Sequence, residues 1–249
     1  MTSSTQAYFT DTLTLRDDRV VSTIGKLHCR IQERFPDANL AQLCGKLQDV
    51  AKQAAQRSEW IESPIKWIRV VAVLLASTVL VILFALGLAA FQSGAKQDQN
   101  LSFTEFIAAF ESGINEAIFV AAAIYFLFGL ENRIKRQRAL GAVHELRSIA
   151  HIIDMHQLTK APEKAMRKGP ATENSPKISM TPFELNRYLD YCSEMLSLTG
   201  KIAAIYVRKF DDPVAVAAVS EVEQLTTGLS RKIWQKIMIL RQYENAKKQ

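Results

Sequence analysis

Three cysteines, seven prolines and ten glycines in 249 residues exclude several architectures at once. The thiols of Cys29, Cys44 and Cys192 are too few for a disulfide scaffold. So little Gly and Pro argues against a turn-rich all-β fold and fits long helices. No alternating apolar and polar run of useful length occurs, so no strand is predicted. Catalytic signatures are missing as well. The chain has no P-loop, no GxGxxG after a strand, no HExxH, no GxSxG and no CxxC. It is not a disordered chain either, because 48% of its residues are hydrophobic and 22% charged. Its net charge is +6. What it does have is a sharp segregation of apolar and polar stretches.

Val70 to Phe91 holds 22 residues without a charge, with Ser77 and Thr78 as its polar side chains. Such a helix is about 33 Å long, enough for a hydrocarbon core of about 30 Å. It is no signal peptide, because 69 residues precede it. Ala117 to Leu130 is a second uncharged run of 14 residues. Extended back through Ser112, Gly113, Ile114 and Asn115 it becomes a full span and takes in Glu116. A return span also keeps the basic segment that follows on the side where the chain started.

The flanks set the orientation. Between the spans, Lys96 stands against Asp98, Glu105, Glu111 and Glu116. After the second span, Glu131 to Arg138 reads ENRIKRQR, with four basic residues and one acid. Positive flanks stay inside, so both termini are expected in the cytoplasm of a cell inner or plasma membrane. Lys66, Arg69, Trp60 and Trp67 fit the same boundary. Arg133, Lys135, Arg136 and Arg138 are candidate contacts to anionic lipid headgroups, against the plainer reading that they only set topology. Small residues four apart, Ala72 with Ala76, Ala85 with Ala89 and Ala117 with Ala121, permit close packing or self-association.

The predicted fold class is an all-α membrane protein: a two-span transmembrane hairpin with a cytoplasmic helical bundle. Three regions are expected. Residues 1–63 form a helical hairpin broken at Pro36-Asp37. Residues 64–130 form the membrane hairpin, with a capping-box start at Ser102 and Glu105 and a short outer amphipathic helix ending at Ser112-Gly113. Residues 131–249 form a C-terminal bundle. In it the second span continues to about Leu158, a mobile basic loop covers 159–180, and two helices start at Thr181-Pro182 and Asp212-Pro213. Residues 1–15 read as loose. Cys29 and Cys44 sit in helical apolar contexts and read as packed thiols.

The segment HELRSIAHIIDMHQ gathers His144, His151 and His156, three of the chain's four histidines. His144, Arg147, Ser148, His151 and Asp154 share one helix face, with Leu146, Ile149, Ala150, Ile152 and Ile153 opposite. His144 and His151 stand about 10.5 Å apart along the axis, which is poor spacing for a metal, so no metal or cofactor is predicted. The stripe suits an anion, a partner carboxylate or an ordinary helix contact. The stripe is expected to be buried and paired, with Arg147 meeting Glu33, Asp49, Asp190 or Glu194, because His, Arg and Asp are a poor choice for a merely solvated helix face. Glu116 is the other candidate, as an intramembrane ionisable group or as a carboxylate at the outer headgroups.

The expected function is a membrane-anchored helical scaffold or partner-binding protein. It would be oligomeric, through self-association or with a membrane protein partner, and no nucleic acid is expected. One alternative is an ion-conducting or proton-coupled oligomer using Glu116, Ser77 and Thr78. A second is a ligand sensor or enzyme using the His144–Asp154 stripe.

Overall fold

The computed structural model describes residues 15–95, 103–160, 162, 173, 180–208 and 210–248. Six helices follow one another: α1 (Asp17–Arg34), α2 (Asn39–Glu62), α3 (Lys66–Ala95), α4 (Phe103–Leu158), α5 (Pro182–Val207) and α6 (Pro213–Lys248). No strand occurs among the described residues. The expected loose start and the basic loop at 159–180 lie largely outside those residues, as does Ser102. Two compact units divide the chain, Met1–Glu62 with Arg138–Gln249, and Ser63–Gln137.

The first unit has one hydrophobic core, built from α1, α2, the end of α4, α5 and α6. On α1 the buried residues are Val20, Ile24, Leu27 and Ile31, spaced three and four apart. Phe35 ends that helix, donating its N–H to the Ile31 carbonyl at 2.8 Å. Its buried ring meets Tyr188 and Tyr191 of α5 edge-on, at 5.6 and 6.3 Å. Cys29 falls off the stripe and is exposed, correcting the expectation of a packed thiol, whereas Cys44 and Cys192 are buried. From α4 the core takes Ala139, Ala142, Val143, Leu146, Ile149, Ala150 and Ile153. Each fully buried Leu or Ile here contributes about 1.5–3 kcal/mol.

Two helix starts carry the caps that their sequences specify. At α5, the Thr181 hydroxyl accepts from the Glu184 N–H at 3.2 Å, and the Glu184 carboxylate accepts from the Thr181 N–H at 2.8 Å. This closes a capping box ahead of Pro182. At α6, Asp212 accepts from the N–H groups of Val214 and Ala215 at 3.1 and 3.0 Å. Gly200 lets α5 and α6 approach closely: a Cβ there would stand 3.2 Å from the Thr226 hydroxyl.

The second unit holds α3 and the first part of α4. Here the structure departs from expectation, because α4 runs unbroken through Ser112-Gly113. One mid-helix glycine costs about 1 kcal/mol, too little to end a helix that strong formers continue on both sides. Two stretches, within Asn39–Ile82 and Gly113–Leu158, are long and apolar enough to cross a membrane. In their most apolar 18-residue windows only 11% and 6% of residues are buried. Val73, Leu80, Val81 and Phe84 on α3 and Phe119, Tyr125 and Phe126 on α4 all lie open. The less exposed positions form stripes three and four apart, Ala72, Ala76 and Val79 on one helix and Ala117, Val120, Ile124 and Leu127 on the other.

Candidate functional site

The polar stripe lies where the heptad-like core pattern of α4 leaves its outer side free. The stripe is not buried, contrary to expectation: His144, Ser148 and His151 are exposed, and Arg147 and Asp154 are half-buried. Ile152, assigned by periodicity to the apolar side, is 41% exposed and shares the outer face with Met155 and Leu158. The Ser148 hydroxyl donates to the His144 carbonyl at 3.1 Å, so it is spent within the helix.

Arg147 finds its carboxylate on α6, at Glu221, 2.5 Å away. Neither the N-terminal hairpin nor α5 supplies it, and both partners remain substantially exposed. The reason is the order of packing around α4. The Arg147 side of the helix abuts α6, while α2 lies on the other flank and is joined there by Arg57 to Glu145 at 3.1 Å. Arg57 also donates to Gln53 at 2.8 Å. The buried Tyr206 hydroxyl lies beside it, its pKa raised by burial with the nearby Arg57 charge working against the shift.

Asp154 accepts from the buried Gln157 at 2.5 Å. Lys236 of α6 then donates to the Gln157 carbonyl at 2.9 Å and to its side-chain oxygen at 2.6 Å. This network closes the end of α4 against α6 and gives Asp154 a structural task. Nothing in the local spacing of either segment announces Glu221 or Lys236, because each stands 74 or more positions away along the chain. Among the described residues no three His, Cys, Asp or Glu side chains are grouped to hold a metal.

The four basic residues after the second span have separate fates. Arg133 is exposed and Arg136 half-buried. Lys135 is buried and pairs with Glu131 at 2.9 Å, which removes it from the expected set of headgroup contacts. Glu131 also accepts the Ile65 N–H at 3.3 Å, one residue before α3 begins. Burial disfavours the Glu131 charge, but the hydrogen bonds from Lys135 and Ile65 outweigh it and hold the carboxyl below its ordinary value. Arg138 lies 3.5 Å over the Trp60 ring, a cation–π contact between the end of α2 and α4. The spacing of four between Glu131 and Lys135 permits a helical ion pair, a pairing that the reading of Lys135 as a headgroup contact missed. Glu116 is exposed. Ser77 and Thr78 are exposed too, and both hydroxyls donate to the Leu74 carbonyl of their own helix, at 2.9 and 2.8 Å.

Comparison with protein-family models, with curated proteins and with solved structures finds no match for this chain.

Proposed function

We propose that the chain is a membrane-anchored helical scaffold that crosses a bilayer twice and offers its helical bundle to a partner on the cytoplasmic side. The observation that carries this reading is the apolar surface left open on α3 and α4, with Phe84 68% and Tyr125 83% exposed. Most apolar residues of the bundle, by contrast, are shut into one core. Water is a poor solvent for the first surface and a good one for the second. Arg133 and Arg136 would meet anionic headgroups at the inner boundary. Ile152, Met155 and Leu158, set among the exposed histidines of α4, supply a mixed face of the kind that partners dock on. Self-association accompanies this reading, through the open apolar faces of the two helices, since Ala72 is already buried within the chain. Ion conduction has less behind it, since the two hydroxyls of α3 are satisfied by their own helix.

Labelling with a membrane-impermeant maleimide tests the arrangement. Cys29 is exposed and serves as a native reporter. In intact cells Asn100→Cys should label while Cys29 does not, and permeabilisation should expose Cys29. Labelling of Cys29 in intact cells, or release of the chain by alkaline carbonate, refutes the proposal.

A further inference from the structure

A cavity of about 500 Å³ opens where four helix ends meet, those of α1 and α4 and the starts of α2 and α5. That volume is within the range which encloses a small organic ligand. Its cationic wall is assembled from distant parts of the chain: Arg34 ends α1, and His156 and Lys160 come from the end of α4. Elsewhere in this unit Arg30, Arg57, Arg147, Arg187 and Arg208 are each held by a carboxylate at 2.5 to 3.3 Å. Arg34 and Lys160 are different. They lie over aromatic faces, 5.5 Å from the Phe183 ring centre and 5.3 Å from that of Tyr188. Neither forms an ion pair among the described residues. A ring face fixes a cation in place without consuming its hydrogen-bond donors.

Two acids also line the cavity, Glu184 and Asp37. Glu184 points its Oε2 at Thr181, accepting from the N–H and the hydroxyl at 2.8 and 3.0 Å, and keeps its charge, which the nearby Arg34 charge also favours. Asp37 is solvent-exposed. Asn39 begins α2, which carries no acidic residue in its first turn to offset the positive end of the helix dipole. His156 is half-buried, and burial followed by the Lys160 charge pushes its pKa below the ordinary value. At neutral pH it is therefore an uncharged ring with one N–H to donate, beside the Lys160 charge.

We propose that this cavity binds the phosphate group of a small phosphate monoester, with Arg34 and Lys160 as counter-charges and His156 as a hydrogen-bond donor. Two permanent cations match a dianion, whereas a monocarboxylate would leave one of them without a counter-charge. The space beyond the phosphate takes the organic part. The phosphate could be carried by a soluble metabolite or by a lipid headgroup, and the chemistry of the site is the same for both.

The full chain in zwitterionic nanodiscs, titrated calorimetrically with glycerol 3-phosphate at fixed ionic strength, tests this. Saturable binding at one site per chain is expected. Arg34→Gln and Lys160→Gln should each weaken it by about tenfold or more, the effect of removing one charge-assisted hydrogen bond. Arg187→Gln and His144→Ala, outside the cavity, should leave it within about twofold. Melting curves of the unliganded variants identify any that fail to fold; Lys160→Arg, which keeps the charge, should then retain binding. Absence of saturable binding to the wild type, or equal weakening by Arg187→Gln, overturns the proposal. Adding phosphatidate to the nanodiscs separates the two sources. A weaker apparent affinity for glycerol 3-phosphate assigns the site to a headgroup, and an unchanged one to a soluble ligand.

Discussion

Glu131–Lys135, within α4, and Arg147–Glu221, between α4 and α6, are ion pairs in opposite solvent regimes, and they should respond differently to loss of a partner. The first pair is buried. Glu131→Gln keeps an acceptor for the Ile65 N–H but removes the opposite charge facing the buried Lys135, so it should destabilise the protein in denaturant unfolding. Adding Lys135→Met should recover most of that loss, since an apolar replacement of the whole pair is often neutral. Arg147→Ala removes only a surface contact and should cost under about 1 kcal/mol. The folded Glu131 carboxyl is held below its ordinary value of 4.5. The stabilisation it gives is therefore fully present above that value and is lost as pH falls through the lower folded value. An acid titration of stability should show this component in the wild type and not in Glu131→Gln. The thiols divide in a similar way. Burial pushes Cys44 and Cys192 up to about 12, so both stay protonated and inert at neutral pH. A thiol reagent should modify Cys29 alone in the folded protein and all three cysteines after unfolding; rapid native labelling of a second cysteine would contradict this burial.

Among the helices, the contact between α5 and α6 is close at a small residue. The Gly200 position has 3.2 Å to the Thr226 hydroxyl and 3.8 Å to the Glu223 side chain. A branched side chain there must push the two helices apart. Gly200→Val should destabilise the protein by about 1–3 kcal/mol, the usual cost of overpacking. Gly141 and Gly228 have nothing within 4 Å of an added Cβ. Alanine at either position should be neutral or stabilising by up to about 1 kcal/mol, because glycine weakens a helix interior. Thermal melts of the three variants would show both effects, and equal behaviour of Gly200→Val and Gly141→Ala would refute the close approach.

At the scale of the whole molecule, the bundle is discontinuous in sequence but closed in space. Trp60 stacks on Arg138, so the two chain ends that flank residues 63–137 lie next to each other. A short Gly/Ser linker in place of 63–137 should therefore yield a water-soluble, helical protein with one cooperative unfolding transition. It should also lose all membrane association. Aggregation of this shortened chain with no cooperative melt, seen by light scattering and circular dichroism, would show that the bundle depends on the segment removed.

Much of this was determined by local sequence. The apolar runs in α3 and α4, the capping residues Thr181, Glu184 and Asp212 and the stripe of Val20, Ile24, Leu27 and Ile31 act over one or two turns of helix. Their spacing alone fixes the elements. The end of the second long helix at Leu158 was legible for the same reason. What only tertiary structure decided is the company each polar side chain keeps. Helical periodicity names a face but not the neighbour behind it. Arg147 could therefore be placed on a polar stripe, while Glu221 as its partner depended on α6 packing beside it. Likewise, spacing grouped His156 with His144 and His151. Helical periodicity already sets its side chain about 120–140° around α4 from those two; the packing of α1, α2 and α5 around the end of α4 then puts it in the cavity with Arg34 and Lys160.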